Sequence, residues 1–194
     1  MDKKFRVIPG TYPYEISRGS LKIVAAPQDA QPVPVNAVAL EEDTFLVLSA
    51  ETSVREPKES LMKVMTKVIE TLPETPGSVL VKDNRPVRML AIVHDLNREP
   101  TWKEEWVESA LRGIFQEMET RRLTSLALPF IGTLHGRLGK ERFIRILREV
   151  LEGMEFKHLR TLWLVVPSKT KPAILNALES HLPPDEKTGK RAPD

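Results

Sequence analysis

The sequence contains no cysteine, which removes disulfide frameworks, thiol nucleophiles and Cys-ligated zinc. It is also poor in net charge, at a formal +2. A protein that coats nucleic acid is usually far more basic or gathers its charge in one patch, so a nucleic-acid partner is not expected. No window approaches the roughly 20 apolar residues of a membrane-spanning helix. The opening MDKKFRVIPGTYPYEIS lacks the apolar stretch and small-residue cleavage pattern of a signal peptide, and a cytoplasmic location is the expectation. Internal repeats are absent as well. What is present is 194 residues, 41% hydrophobic and 29% charged, which suffices for one well-buried core. The expectation is a single domain over residues 1–182, followed by a disordered polar tail, PPDEKTGKRAPD, over 183–194.

The first part of the chain reads as short strands broken by Pro27, Pro32 and Pro34. EIS, SLKIVAA, VNAVAL and TFLVLSA are rich in aliphatic and β-branched residues, with Glu41, Glu42 and Asp43 as a turn between the last two. The period then changes. Leu61, Val64, Met65, Val68, Ile69 and Leu72 mark a helical face that begins near Pro57 and ends at Pro73. SVLV and VRMLAIV follow as strands, the second apolar at nearly every position, as in a sheet covered on both faces. A helix comes next, with Trp102, Trp106, Val107, Ala110, Leu111, Ile114, Phe115 and Met118 on one face and a capping box formed by Thr101 and Glu104. LTSLALP predicts a buried strand, Phe143 to Met154 an amphipathic helix ending near Gly153, LRTLWLVVP the last strand, and Pro172 the start of a final helix carrying Ile174, Leu175, Leu178 and Leu182. From residue 56 the alternation of helix and strand predicts a three-layer α/β domain with a mostly parallel centre, the early strands adding antiparallel edges.

In such sheets ligands lie beyond the carboxyl ends of the strands. PFIGTLHGRLGK is the strongest candidate, because Gly132 and Gly136 let the backbone turn and approach a ligand just before a helix N-terminus. It is not a P-loop: seven steps separate Gly132 from Gly139, and Lys140 is followed by Glu141. A glycine-rich turn that binds nothing is the competing explanation. His94 with Asp95 closes the strand VRMLAIVHDL, and His135 sits inside the glycine loop. Either histidine has the chemistry of a general acid or base, although strand-end residues such as His94 and Asp95 commonly satisfy loop backbone. Arg137, Lys140, Arg142, Arg145 and Arg148 form a basic run without the interleaved aromatics of a base-stacking surface. Glu41, Glu42, Asp43 and Glu51 lack a matching histidine spacing, so no metal is expected.

These segments resemble macro domains, the ADP-ribose-binding α/β/α modules. SLALPFIGTLHG is similar to their strand ending in a Pro-x-Ile-Gly-Thr-Gly type turn, GSVLVKDNRPVRMLAIVHDL to their strand pair ending in Ile-His, and LRTLWLVVP to their last strand. The resemblance covers residues 35–167 and implies a three-layer α/β/α macro-domain-like fold with a mixed, centrally parallel sheet. It further implies that Gly132, Thr133, Leu134, His135 and Gly136 wrap the diphosphate and distal ribose of an ADP-ribose-like nucleotide. Three departures stand out. Leu134 replaces the usual glycine, and the family's Asn-Ala-Ala-Asn stretch and phosphate-cradling glycines have no match in TFLVLSAETSVREPKES. Nor is there a Gly-Asp-Ile segment whose acid holds adenine, Ser20 in RGSLKI coming nearest. The expectation is a binding or regulatory module with a degenerate site and no cofactor. A hydrolase using His94 or His135, and a ligand-free protein-interaction domain, are the alternatives.

Overall fold

The computed structural model describes residues 14–48, 72–167, 170 and 172–178. The helix expected over 57–72 and the tail over 183–194 lie outside the described residues, apart from Leu72. Seven strands form one sheet: β1 (Tyr14–Arg18), β2 (Leu21–Ala26), β3 (Ala37–Asp43), β4 (Val79–Lys82), β5 (Val87–His94), β6 (Ser125–Pro129) and β7 (Thr161–Val165). Their spatial order is β1-β2-β7-β6-β3-β5-β4. The five inner strands are parallel, and β1 and β4 run antiparallel at the two edges. The early strands therefore do more than add edges: only β1 is an edge, whereas β3 lies near the centre. Its central place follows from composition, because Ala37 and Ala39 bury completely or nearly so and let neighbouring elements come close.

The segment Glu41-Glu42-Asp43 is the end of β3 and not a turn, and Thr44 to Leu48 form turns in place of the expected TFLVLSA strand. Acids are tolerated there because their carboxylates accept backbone hydrogen bonds. Asp43 takes the N–H groups of Phe45, Val47 and Leu48 at 2.7–2.9 Å, and Glu42 takes those of Asp43 and Leu48 at 3.0 and 2.8 Å. Unsatisfied, these buried groups would each cost about 1–3 kcal/mol.

Helices α1 (Glu104–Thr120) and α2 (Lys140–Glu152) cover one face of the sheet. Val107, Ala110, Leu111, Ile114, Phe115 and Met118 are fully buried, as their spacing predicts, and so is the α2 stripe from Phe143 to Val150 that meets them. The expected capping box is missing. Lys103 is the N-cap of α1, while Thr101 offers its carbonyl to Asp95 N–H at 2.7 Å and Trp102 bridges back to His94. Extended pairing with the end of β5 has taken the segment that would have capped the helix.

The opposite face is covered too. Leu90 and Ile92, which alternate with Met89, Ala91 and Val93, are as buried as they are, as a three-layer α/β/α arrangement requires. Trp163 packs there with Ala26 and Ala127 and donates its indole N–H to the Ala26 carbonyl at 3.1 Å. Within the described residues the last helix is a 3-10 turn over Pro172–Leu178 with Leu175 buried, tighter than the expected α-helix. Of its expected apolar face, Leu182 lies outside the described residues.

Candidate functional site

Strand order locates the site. The chain moves one way from β3 to β5, then crosses back over β3 to β6 and on to β7. Reversal at β3 and β6 makes a topological switch point, and a crevice forms where two such strands part. They do part: β3 pairs with β6 only at Ala37–Leu126 and Val38–Ala127, while β6 stays on β7 as far as Pro129–Val165. Beyond Val38 the two strands diverge, leaving a cleft of about 820 Å³. Pro27, Leu40, Val165 and Pro167 line its apolar part, and Asp29, Glu41, His135 and Lys140 its polar part.

One wall is the loop after β6. Ile131 is buried, whereas Leu134 is 78% exposed and His135 is exposed. Both loop glycines have a structural reason to be there. Gly132 has φ +80°, and a Cβ on it would press Val107 at 3.0 Å; a Cβ on Gly136 would collide with the Gly132 carbonyl oxygen. Glycine here is needed to fold the turn, whatever the turn binds.

The unexpected residue is Glu41. Alternation along β3 sets it on the helix-covered face with Ala37 and Ala39, at the point where β3 leaves β6. From there one carboxylate oxygen accepts the Gly132 N–H at 2.8 Å, and the other accepts the His135 N–H at 3.3 Å. His94, which ends β5 beside it, completes the arrangement with a 2.5 Å contact from Nε2 to the same oxygen as His135. An ionised carboxylate can only accept, so Nε2–H is the donor. Both side chains are nearly inaccessible, 3% exposed for His94 and 8% for Glu41.

Burial pushes the Glu41 carboxyl up, but the hydrogen bonds from His94, Gly132 and His135 and the charge interaction with His94 outweigh it, and its pKa lies below the ordinary glutamate value. A depressed native pKa adds stability above the unfolded value near 4.5 and loses it as pH falls through the native value. Glu41→Gln removes that contribution. The difference in denaturation midpoint between wild type and Glu41→Gln should therefore be largest at neutral pH and shrink below about pH 4.5. A constant difference from roughly pH 3 to 7 would contradict it.

The sequence-predicted residues divide as follows. His94 and His135 come together, ring edge to face at 6.2 Å, but His94 is turned onto Glu41 and only His135 reaches the cleft. Asp95 shapes its own loop, accepting Asn97 N–H at 3.0 Å and pairing with Arg98 at 2.8 Å. The basic run is in part engaged within the chain and in part solvated: Arg142 binds Glu104 of α1, Lys140 donates to Thr170 and Arg148 donates to the Ala177 carbonyl, while Arg137, Arg142 and Arg145 are exposed. Ser20 lies in the β1–β2 turn, where its hydroxyl donates to the Phe156 carbonyl at 3.4 Å. It is Asp29, just past β2, that lines the cleft. Asp29 and Glu41 were missed as cleft residues, since no local pattern separates them from acids of an ordinary surface turn. Among the described residues no cluster of three or more His, Cys, Asp or Glu is arranged to hold a metal ion, and no helix is long and apolar enough to cross a membrane.

No family model and no curated protein matches the sequence. Solved structures do match in shape. The Oceanobacillus iheyensis macrodomain solved with ADP superposes with a TM-score of 0.65 at 14% identity, over 87% of this chain and 95% of that one. The macrodomain of Thermus aquaticus DarG gives 0.53 at 19% identity, over 75% and 98%, and the macro domain of ganglioside induced differentiation associated protein 2 gives 0.52 at 14%, over 80% and 81%. The chain has the three-layer α/β/α fold of macro domains.

Proposed function

We propose that the protein is a binding module that takes a nucleotide-like ligand in the cleft between the carboxyl ends of β3 and β6, against the loop Gly132–Gly136. The cleft carries this reading: it opens at the switch point, and its 820 Å³ falls inside the range of about 300–1,000 Å³ usual for small-molecule sites. The structural neighbours lend support, one having been solved with ADP and another, a point variant of the Oceanobacillus protein, with ADP-ribose. Asp29 supplies an acceptor for an exocyclic amine, and Pro27, Val165 and Pro167 supply apolar contact for a base. Binding rather than hydrolysis is favoured, since His94 is shut behind Glu41 and, among the described residues, no acid is hydrogen-bonded to the His135 ring to orient it.

A ligand selective for the folded state raises its melting temperature, by an amount that grows with the logarithm of ligand concentration above Kd. Adenosine, ADP and ADP-ribose, each at millimolar concentration, should raise Tm, and Asp29→Ala should reduce the rise for all three. An unchanged Tm with every one of them would remove the basis for the reading.

A further inference from the structure

We infer that Glu41 is a resident carboxylate in the anion seat of the glycine loop, so that the cleft recognises the nucleoside part of its ligand and gains no affinity from a phosphate at that loop. The inference rests on the nucleotide-binding reading above and narrows the ligand class. A phosphate bound by such a loop uses backbone N–H groups converging on two of its oxygens. In this protein the N–H groups of Gly132 and His135 converge on the two oxygens of one carboxylate instead.

That carboxylate is not a mobile visitor. It is delivered by the rigid end of β3, is 8% exposed, and is held on its third side by His94 Nε2–H. Moving it aside would leave the buried imidazole N–H and two amides in need of acceptors, and a phosphate that arrived without displacing it would face a like charge at contact distance. The lysine on the cleft wall does not offset this, because Lys140 Nζ is drawn 3.0 Å from Thr170 Oγ1. The apolar walls and Asp29 stand clear of Glu41's hydrogen bonds and remain open to a base and its ribose.

The test is calorimetric titration of the full chain with adenosine, ADP and ADP-ribose, for wild type, Glu41→Gln and Glu41→Ala, with thermal melts to check folding. Wild type should bind adenosine and ADP within about twofold of each other, and Glu41→Ala should bind ADP and ADP-ribose at least about tenfold more tightly than adenosine, whose affinity stays level. Glu41→Gln, uncharged but still able to offer an oxygen to Gly132 N–H, should fall between them and covers the case in which the alanine variant does not fold. A wild type that already favours ADP by about tenfold, or variants in which the preference does not rise, would overturn the inference while leaving nucleotide binding intact. Absence of binding of all three compounds by every variant would overturn the nucleotide reading, and the inference with it.

Discussion

Phe143→Ala should destabilise the protein by about 3–5 kcal/mol, the usual cost of emptying a buried aromatic site. Phe143 is fully buried in the first turn of α2, and its ring stacks on Phe130 with centroids 4.9 Å apart. Phe130 follows β6 directly and lines the cleft, so this ring pair ties the start of the helix to the base of the glycine loop. Removing one ring takes away both the apolar burial and the surface that fixes where the loop begins. Chemical denaturation should show the midpoint falling with the slope unchanged. Phe143→Leu, which fills most of the volume, should lose clearly less. A loss below about 1 kcal/mol for the alanine variant would mean that the site collapses freely, and that the loop is positioned by something other than this contact.

Gly136→Ala should be the most damaging single-methyl change in the site, at about 1–3 kcal/mol or somewhat more. The added Cβ meets backbone, the carbonyl oxygen of Gly132, and also lies 3.2 Å from the Trp102 ring. A backbone oxygen cannot rotate away as a side-chain tip does, so the turn itself must open. Its opening would draw His135 N–H off Glu41. Gly139→Ala is the control, since its nearest neighbour is the end of the Glu141 side chain at 3.9 Å, and it should be close to neutral. If both variants melt alike, the close approach within the loop carries no stability.

Legibility in the sequence followed the range of the interactions. β5, α1 and α2 could be read directly, because a strand buried on both faces or an amphipathic helix prints its environment into consecutive residues such as Met89 to Val93 or Val107 to Met118. The position of the glycine loop was legible for the same reason, lying between an apolar strand and a helical period. Its neighbour was not. Glu41 stands 91 residues from Gly132, and three consecutive acids look like a turn when the amides that neutralise them cannot be seen. The N-terminus of α1 failed through competition: Thr101 and Glu104 have the spacing of a cap, but pairing of Thr101 and Trp102 with the end of β5 claimed the backbone first. A cleft acid was sought by motif at Ser20, whereas it is Asp29 that lines the cleft, and no local pattern distinguishes the two.

The short pairing of β3 with β6 also makes the sheet two half-sheets joined along a seam. At the amino end the seam is sewn by Asn36, whose side-chain oxygen accepts from Thr124 and Ser125 and whose N–H donates to the Ser125 carbonyl at 3.0 Å. At the carboxyl end the stitch is Glu41, reaching from one half to the loop of the other. Between these ends lie two residue pairs and then open space. Glu41 is thus also a clasp: it ties the two halves of the sheet across the carboxyl end of the seam, beside the open cleft rather than across its mouth.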